Sequence, residues 1–420
     1  MNRSAEIICV GTELLLGDIL NSNAQYLAQQ LAQLGIAHHY QTVVGDNVLR
    51  LKRAIAIACE RSRLLIFTGG LGPTPDDLTT ATIADFFDTP LVENPAVIAD
   101  IEAKFARRGR GEMSANNRKQ ALLPQGAEVL PNGQGTAPGI IWQPRSGLII
   151  MTFPGVPREM HDMWETTSVP YLKAQGWASS VIHSRTLKFW GVSESGLAER
   201  VAPFLELANP TVAPYAGKGI IKLRISAKAE TVAAAEALIA PIEIQLRKLG
   251  GQDCFGTDDE TLAHAVGILL KAQQQTLAVA ESCTGGGLGK SLTAVAGSSS
   301  YFWGGIIAYD NRVKENLLGV KTDTLKKLGA VSAEVAEQMA VGVRQQLGTD
   351  WGLSVTGIAG PAGGTVDKPV GLVFIGIADA ASVRHLECRF GSYRGRDWVR
   401  LMSECTALDL LRRTILSSMT

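Results

Sequence analysis

Hydrophobic and polar positions along residues 1–172 alternate with two different periods. Short apolar runs predict buried strands, and apolar residues that recur every three to four positions predict amphipathic helices. In chain order the segments are AEIICVG (strand), NAQYLAQQLAQLG (helix), HHYQTVVG (strand), VLRLKRAIAIACERS (helix), RLLIFTGG (strand) and TTATIADFF (helix). This order predicts a parallel, doubly wound sheet. Ligands bind at the carboxyl ends of such strands, so the loops after Val10, Val44 and Thr68 are the first candidates for a site.

The same kind of alternation returns over residues 258–416. The segments are LAHAVGILLKAQQ (helix), TLAVAES (strand), TGGGLGKSLTAVAG (helix), FWGGIIAY (strand), NRVKENLLG and SAEVAEQMAVGVRQQLG (helices), WGLSVTGIAGP, VGLVFIGIAD and SVRHLECRF (strands) and RGRDWVRLMSECTALDLLRRTIL (helix). Ser332 is the predicted N-cap of the second of the two adjacent helices. A second α/β domain is therefore predicted.

Residues 176–250 follow another pattern. HSRTLKFWGV and GIIKLRISA are typical of strands, and the segments that follow them are typical of helices. Pro210, Pro214 and Gly217 punctuate this region, and QGWASS and GGQDCFGTDDE are the expected linkers. The predicted fold class is thus α/β, with two α/β domains joined by a small α+β module.

Composition narrows the functional classes. Apolar residues make up 46% of the 420 residues, which is typical of well-packed domains. Forty basic residues balance forty acidic ones, so neither direct nucleic-acid binding nor binding to an anionic membrane is expected. Six scattered cysteines without a CxxC spacing indicate reduced thiols. No targeting sequence and no run long enough to span a bilayer is evident. We expect a cytoplasmic protein, and a homodimer as the default assembly.

TLAVAESCTGG is the sharpest local motif. Ser282 follows a buried strand at the point where the chain enters a glycine-rich helix start. The backbone N–H groups of Thr284, Gly285 and Gly286 are expected to face the same space, where an oxyanion or phosphate would be held. The alternative is that Ser282 only caps the helix.

A serine nucleophile needs a base, and histidine is the usual one. His264 and His385 fall within a helix and a strand, so neither lies in an obvious loop. Lys314, near the start of the next helix, acts as a base if burial lowers its pKa. Tyr309 would then orient Ser282 or relay a proton. The alternative for Lys314 is an ordinary exposed lysine.

A second glycine-rich loop follows a central strand in SVTGIAGPAGGT. It provides Thr356, Gly357 and Gly360 as residues that would wrap a nucleotide or phosphate, although such a turn is also found as a purely structural feature. Arg396 and Arg400 lie one turn apart on the closing helix and suit a phosphate or carboxylate.

AESCTGG, AYDNRVKENLLGV and VTGIAGPAGG resemble the C-terminal domain of the CinA family. Stand-alone relatives of that domain are nicotinamide-nucleotide amidohydrolases, which convert nicotinamide mononucleotide and water to nicotinate mononucleotide and ammonia. The family's catalytic serine, tyrosine and lysine fall on Ser282, Tyr309 and Lys314. The resemblance implies a small nucleotide substrate and no cofactor for this half of the chain.

The N-terminal half carries acidic residues beside a glycine-rich loop. In TGGLGPTPDDLT the N–H groups around Gly69, Gly70 and Gly72 are expected to form an anion site. Asp76 and Asp77 suit a divalent cation, or one of them caps the next helix. The other candidates lie in the loops after the first two strands and are Glu13 and Asp46.

These loops, together with FPGVPREM, resemble the molybdopterin-binding superfamily in the version found at the N-terminus of CinA proteins. The resemblance implies a metal-dependent ADP-ribose pyrophosphatase in which Asp77 is functional. The expected ligands of the metal, which would be Mg, Mn or Co, are Asp77 and Asp46. The middle module resembles the KH-type piece of CinA proteins, although its GKGIIK only approaches a GxxG loop. The alternative is a molybdopterin- or nucleotide-binding regulatory protein, linked to competence or DNA damage, without catalysis.

Overall fold

A fully buried strand opens the fold, as the apolar run at the N-terminus predicts. The structure is a computed structural model, and it describes residues 3–107, 113–178 and 180–418. Within these ranges no helix combines the length and the apolar character needed to cross a membrane. Packing divides the chain into two units, Met1–Ser184 with Ser226–Ala240, and Arg185–Ile225 with Pro241–Thr420.

The N-terminal domain alternates strands and helices. Its elements are β1 (Ser4–Val10), α1 (Thr12–Leu16), α2 (Ser22–Gln33), β2 (Ala37–Val44), α3 (Val48–Arg61), β3 (Leu64–Thr68), α4 (Thr79–Phe86), β4 (Leu91–Glu93), α5 (Pro95–Arg107), β5 (Leu122–Pro124), β6 (Glu128–Leu130), β7 (Gly139–Arg145), β8 (Leu148–Phe153), α6 (Pro157–Met163) and α7 (Val169–Ala174). A six-stranded sheet has the order β2-β1-β3-β8-β7-β6. Its first four strands are parallel.

Alternate residues of β1 enter two different cores, which is the reason for the double winding. Ile7 packs in the cluster that includes Leu27 of α2 and Trp164. Ile8 points the other way and packs with Ile55 of α3 and Ile83 of α4. The sheet is therefore covered by helices on both faces, as predicted.

The remaining elements form the middle module and the C-terminal domain. They are β9 (Val181–Phe189), α8 (Glu194–Leu205), β10 (Thr211–Gly217), β11 (Ile220–Ala229), α9 (Val232–Gly250), β12 (Cys254–Thr257), α10 (Leu262–Gln273), β13 (Leu277–Glu281), α11 (Gly287–Thr293), β14 (Phe302–Ile307), α12 (Asn311–Leu318), α13 (Thr322–Leu328), α14 (Ala333–Leu347), β15 (Trp351–Gly357), β16 (Leu372–Ala378), β17 (Val383–Arg389) and α15 (Gly395–Ser418). The sheets have the orders β10-β11-β9-β12 and β14-β13-β15-β16-β17. Ser332 caps α14, as predicted.

The three strands predicted in the N-terminal domain are parallel, and the sheet extends beyond them with β7 antiparallel to β8 and β6 antiparallel to β7. Two sequence predictions about other elements were wrong. The expected linker GGQDCFGTDDE contains β12, which pairs with β9. The stretch with Pro214 and Gly217 forms β10 instead of a loop. Each of these strands is short or rich in turn-forming residues, and tertiary pairing overrides that local preference.

Candidate active site

The chain turns sharply where β13 gives way to the glycine-rich segment before α11. β13 lies between β14 and β15, and its last residue, Glu281, is in register with Ile307 and Val355. The N–H of Ser282 still donates to the carbonyl of Val355 at 3.0 Å. Ser282 is therefore held at the carboxyl end of a central strand and is 8% exposed. This is the position that the motif predicts.

Lys314 of α12 is almost completely buried, with 1% of its surface exposed. Its Nζ lies 3.3 Å from Ser282 Oγ and donates to the carbonyl oxygens of Ala308 at 2.6 Å and Tyr309 at 3.0 Å. All three oxygens are uncharged. A neutral amine has two N–H bonds and one lone pair, so two donated bonds leave the lone pair for the Ser282 hydroxyl. The geometry thus suits a neutral lysine that accepts a proton from Ser282.

Burial also lowers the pKa of Lys314 below its ordinary value of 10.5. Two smaller influences act in the opposite direction, the negative charge of Asp310 and the thiol of Cys283. Loss of the water shell disfavours the ammonium form. A larger fraction of Lys314 is therefore neutral near pH 7 than for an exposed lysine.

A substitution at Asp310 would change the pKa of Lys314 without altering the lysine itself. Asp310 caps α12 through Arg312 N and raises the pKa of Lys314. Asparagine caps helices as well as aspartate does, so Asp310→Asn should remove the charge and keep the helix. Without that charge the pKa of Lys314 falls. We expect the acid limb of kcat/KM for the reaction proposed below to move to lower pH, and the shift to shrink at high salt.

Asp323→Asn is the matched control, because Asp323 is an acidic residue in the first turn of the following helix α13 and does not perturb Lys314. Its pH profile should equal that of the wild type. An acid limb that stays in place in Asp310→Asn, or moves to higher pH, would contradict Lys314 as the titrating base.

A cavity of about 230 Å³ opens beside this pair of residues. The predicted residues that line it are Ser282, Tyr309, Lys314, Thr356, Gly357, Gly360 and Arg396. The Thr356 hydroxyl donates its hydrogen to the carbonyl of Ala330 at 2.8 Å, so its oxygen can only accept from a ligand. Arg396 donates one bond to the carbonyl of Gly360 at 2.8 Å and is otherwise exposed at the rim. Tyr309 is 65% exposed, and its backbone carbonyl is what contacts Lys314.

The backbone donors at the start of α11 differ from the prediction. Gly286 N–H donates to the carboxylate of Glu281 at 2.9 Å, and Gly285 N–H donates to the carbonyl of Ser282 at 3.2 Å. Neither is directed at the cavity. Cys283 lines the cavity, and among the described residues no hydrogen bond joins its N–H group or that of Thr284 to another residue. The predicted roles of Gly285 and Gly286 as anion donors were therefore wrong.

Cys283 is the other potential nucleophile at this site. Burial raises the pKa of its thiol to about 12. Since the thiolate is the reactive form of cysteine, this shift disfavours Cys283 as a nucleophile at neutral pH. The Ser282 hydroxyl, in contrast, lies at hydrogen-bond distance from the Lys314 amine.

The N-terminal candidates are divided between two cavities at the carboxyl end of the sheet. The first, of about 130 Å³, is lined by Gly70, Gly72 and Asp77 together with Lys119. Lys119 Nζ donates to the carbonyls of Thr74 at 2.9 Å and Asp77 at 2.6 Å. Lys119 thus fastens the glycine-rich loop and adds a positive charge that the sequence patterns did not reveal.

The second cavity, of about 90 Å³, is lined by Glu13 and Gly69. Asp46 borders neither cavity, and its Oδ2 accepts hydrogen bonds from Thr12 N at 2.9 Å and Thr12 Oγ1 at 2.8 Å. Asp76 is exposed and borders neither cavity. The structure therefore separates Asp77 from the other predicted acidic residues.

The acidic residues form no complete cation cage. Across the described residues no three His, Cys, Asp or Glu side chains gather around one point. Asp77 Oδ2 accepts hydrogen bonds from Thr74, whereas its Oδ1 has no hydrogen-bond partner within the described part of the chain. Hard cations such as Mg²⁺ are commonly held by one or two carboxylates together with substrate phosphates. Asp77 fits an ion that arrives with a diphosphate, whereas the expected pairing with Asp46 does not fit.

Comparison with known proteins assigns all three parts of the chain. Residues 6–174 match the family described as probable molybdopterin binding domain, residues 184–256 the damage-inducible protein CinA KH domain, and residues 259–415 the CinA C-terminal domain. A CinA-like protein from Cyanothece sp. is 67% identical over 417 residues, covering 99% of this chain and 100% of the relative. A CinA-like protein from Nostoc punctiforme is 66% identical over 415 residues, covering 99% and 100%. The chain belongs to the CinA family.

Solved structures of the family are similar to part of the chain. The competence/damage inducible protein CihA from Agrobacterium tumefaciens is 40% identical, and the match covers 37% of this chain and 93% of that chain with a TM-score of 0.36. The CinA protein from Thermoplasma acidophilum is 31% identical and covers 40% of this chain and 99% of that chain, with a TM-score of 0.38.

The CinA KH module and the CinA C-terminal domain share one core. Trp190 and Phe255 belong to the same buried cluster as Val399 and Leu411 of α15. Gly219 has φ of 78°, and a Cβ at this position would lie 2.9 Å from Met402 Sδ, so the backbone conformation and the close approach both favour glycine. The GKG turn that approaches a GxxG pattern is thus packed against α15.

Proposed function

We propose that the C-terminal domain hydrolyses the carboxamide of nicotinamide mononucleotide, giving nicotinate mononucleotide and ammonia. The observation that carries this proposal is the buried Lys314 amine 3.3 Å from Ser282 Oγ, with its other two contacts made to carbonyl oxygens. This arrangement activates a serine for attack on an amide carbonyl. The resemblance of the motifs to the amidohydrolase branch of the family supports the choice of substrate.

The first half of the reaction forms an ester. Lys314 takes the proton from Ser282 Oγ as this oxygen attacks the carboxamide carbon. The N–H groups of Cys283 and Thr284 stabilise the oxyanion. The C–N bond then breaks, and Lys314 returns its proton to the leaving nitrogen, so ammonia departs and a nicotinoyl ester remains on Ser282.

The second half hydrolyses that ester. Lys314 takes a proton from water, the hydroxide adds to the ester carbon, and the C–Oγ bond breaks as Lys314 gives the proton back to Ser282. Arg396, at the rim of the cavity, suits the substrate's phosphate. Tyr309 lines the cavity and is exposed. In this proposal its side chain either packs over the pyridine ring of the substrate or relays a proton.

Ammonia release from nicotinamide mononucleotide, measured with and without a chelator, tests the proposal. We expect release that resists the chelator, equimolar nicotinate mononucleotide, and a higher KM for nicotinamide riboside, which lacks the phosphate. Absence of release would exclude the proposed reaction and favour the regulatory or ligand-binding alternative.

For the N-terminal domain we propose metal-dependent hydrolysis of the diphosphate of ADP-ribose, which adds water across the P–O–P bond. The specific observation in favour is the cavity where Asp77 and Lys119 meet the glycine-rich loop. Lys119 would neutralise phosphate charge and Asp77 would hold the ion, which supplies Lewis-acid polarisation of the phosphates when bound. Two nucleotide fragments of NAD breakdown would then be processed by one chain.

Asp77→Asn should reduce metal-dependent ADP-ribose turnover at least about 10- to 100-fold, because an amide replaces the charged ligand. Asp76→Asn is the matched control, since Asp76 lies next in sequence but borders neither cavity. Ammonia release by the C-terminal domain should be unchanged in both variants. Equal loss of ADP-ribose turnover in both, or in neither, would remove the role of Asp77. AMP formation by chromatography is the readout.

A further inference from the structure

A buried carboxylate lies next to the nucleophile and has no role in the steps above. Glu281, the last residue of β13, is 2% exposed. Its Oε2 accepts hydrogen bonds from Gly286 N at 2.9 Å and Leu288 N at 3.1 Å, and its Oε1 accepts one from Gly289 N at 2.8 Å. A side chain of the strand therefore caps the helix that follows it.

These three bonds close a loop around Ser282. The backbone of Glu281 is fixed in the sheet between β14 and β15, and its side chain fixes the first turn of α11. The four residues between Glu281 and Gly286 thus have both ends tied to one residue. Since Gly285 N–H and Gly286 N–H are both occupied, the N–H groups of Cys283 and Thr284 are the candidates for oxyanion donors in this turn.

The carboxylate is held by neutral backbone donors. Burying a charge is costly unless hydrogen bonds compensate for it, and three N–H donors at a helix start do so. The neighbouring carboxyl is Glu404, whose pKa is raised by burial and then by the charge of Glu281. Glu404 contacts the Ser291 hydroxyl at 3.5 Å and none of the N–H groups that Glu281 holds.

We propose that Glu281 is a positioning residue for the nucleophile, which holds Ser282 Oγ at hydrogen-bond distance from Lys314 and orients the two oxyanion donors. The inference rests on the proposed function for its catalytic meaning, whereas the reactivity of Ser282 tests it without any substrate. Misplacing a nucleophile by about 1 Å costs on the order of 10²-fold in rate.

The experiment compares Glu281→Ala and Glu281→Gln with the wild type. A small sulfonyl fluoride reports on Ser282 directly, because Oγ bonds to sulfur, fluoride leaves and the proton passes to Lys314. Intact-mass and peptide-mass measurements give the rate and the modified residue. In Glu281→Ala we expect the rate of Ser282 modification and kcat each to fall roughly 100-fold. KM and the Kd for nicotinate mononucleotide should change by no more than about twofold. Glu281→Gln keeps one oxygen for Gly286 and Leu288 and should recover part of the rate.

Two controls separate positioning from loss of stability. Thr261→Ala removes the side-chain cap of α10, where Thr261 Oγ1 accepts from His264 N at 3.2 Å, and should leave both rates unchanged. Glu404→Gln neutralises the other carboxyl and should do the same. Wild-type rates of Ser282 modification in both Glu281 variants, or no reaction at Ser282 in the wild type, would overturn the inference. Absence of ammonia release by a wild type whose Ser282 reacts would instead overturn the proposed function.

Discussion

Replacing Ser282 by alanine should reduce chelator-resistant ammonia release from nicotinamide mononucleotide by at least about 10³-fold. The change removes one oxygen atom, the one that lies 3.3 Å from Lys314 Nζ. No ester can then form, and only slow direct hydrolysis remains. Because the removed atom makes no other hydrogen bond with the residues that the structure describes, the melting temperature should change little. A coupled ammonia assay and thermal unfolding check both statements.

Cys283→Ala is the natural companion variant. The thiol lines the same cavity, yet burial keeps it protonated. We expect this variant to keep activity within about tenfold of the wild type, since it loses only packing atoms. Full activity of Ser282→Ala together with an inactive Cys283→Ala would show that the Cys283 thiol, and not Ser282, is the nucleophile. Activity in both would exclude a covalent mechanism at this turn.

The second large effect is expected at Lys314. Lys314→Ala removes the base and should reduce kcat by about 10²- to 10⁴-fold, the usual contribution of general acid–base catalysis. The truncation also leaves a space beside Ser282 that matches a small alkylamine. Added ethylamine or propylamine should restore part of the rate, with a dependence on pH that follows the neutral amine.

Lys314→Arg separates the proton transfer from the positive charge. A guanidinium stays protonated at all accessible pH values, so this variant should be as inactive as Lys314→Ala and should not respond to amines. Retention of more than about a tenth of the wild-type kcat by Lys314→Arg would mean that charge, and not basicity, is what Ser282 needs. Lack of amine rescue in Lys314→Ala, with the protein folded, would point the same way.

The motifs singled out in the C-terminal domain stand at strand ends. Parallel strands bring their carboxyl ends to one edge, and Ser282 after β13, Tyr309 after β14 and Thr356 at the end of β15 line one cavity. The burial of Lys314 did not follow from the local pattern, since α12 carries charged residues on most of its turns. Only the packing of α12 against the rest of the domain encloses that amine.

The errors have identifiable physical causes. The N–H group of Gly286 was expected to face a ligand, but it donates a hydrogen bond to the carboxylate of Glu281 in the preceding strand. A buried glutamate in an apolar strand, Glu281, was the one signal for this contact. In the N-terminal domain Lys119 lies more than forty residues after the loop that it fastens. A contact between residues so far apart in the chain does not produce a periodic pattern from which a single sequence could predict it.

The long closing helix connects two distant parts of one unit mechanically. α15 has 24 residues, so it is a rod of about 36 Å. Arg396 at its beginning touches the second glycine-rich loop, while Met402 and Arg413 farther along touch Gly219 and Asp253 of the KH module. A helix that is held at both points fixes the distance between them. α15 therefore sets the spacing between the KH module and Arg396, the residue that is expected to meet the substrate's phosphate.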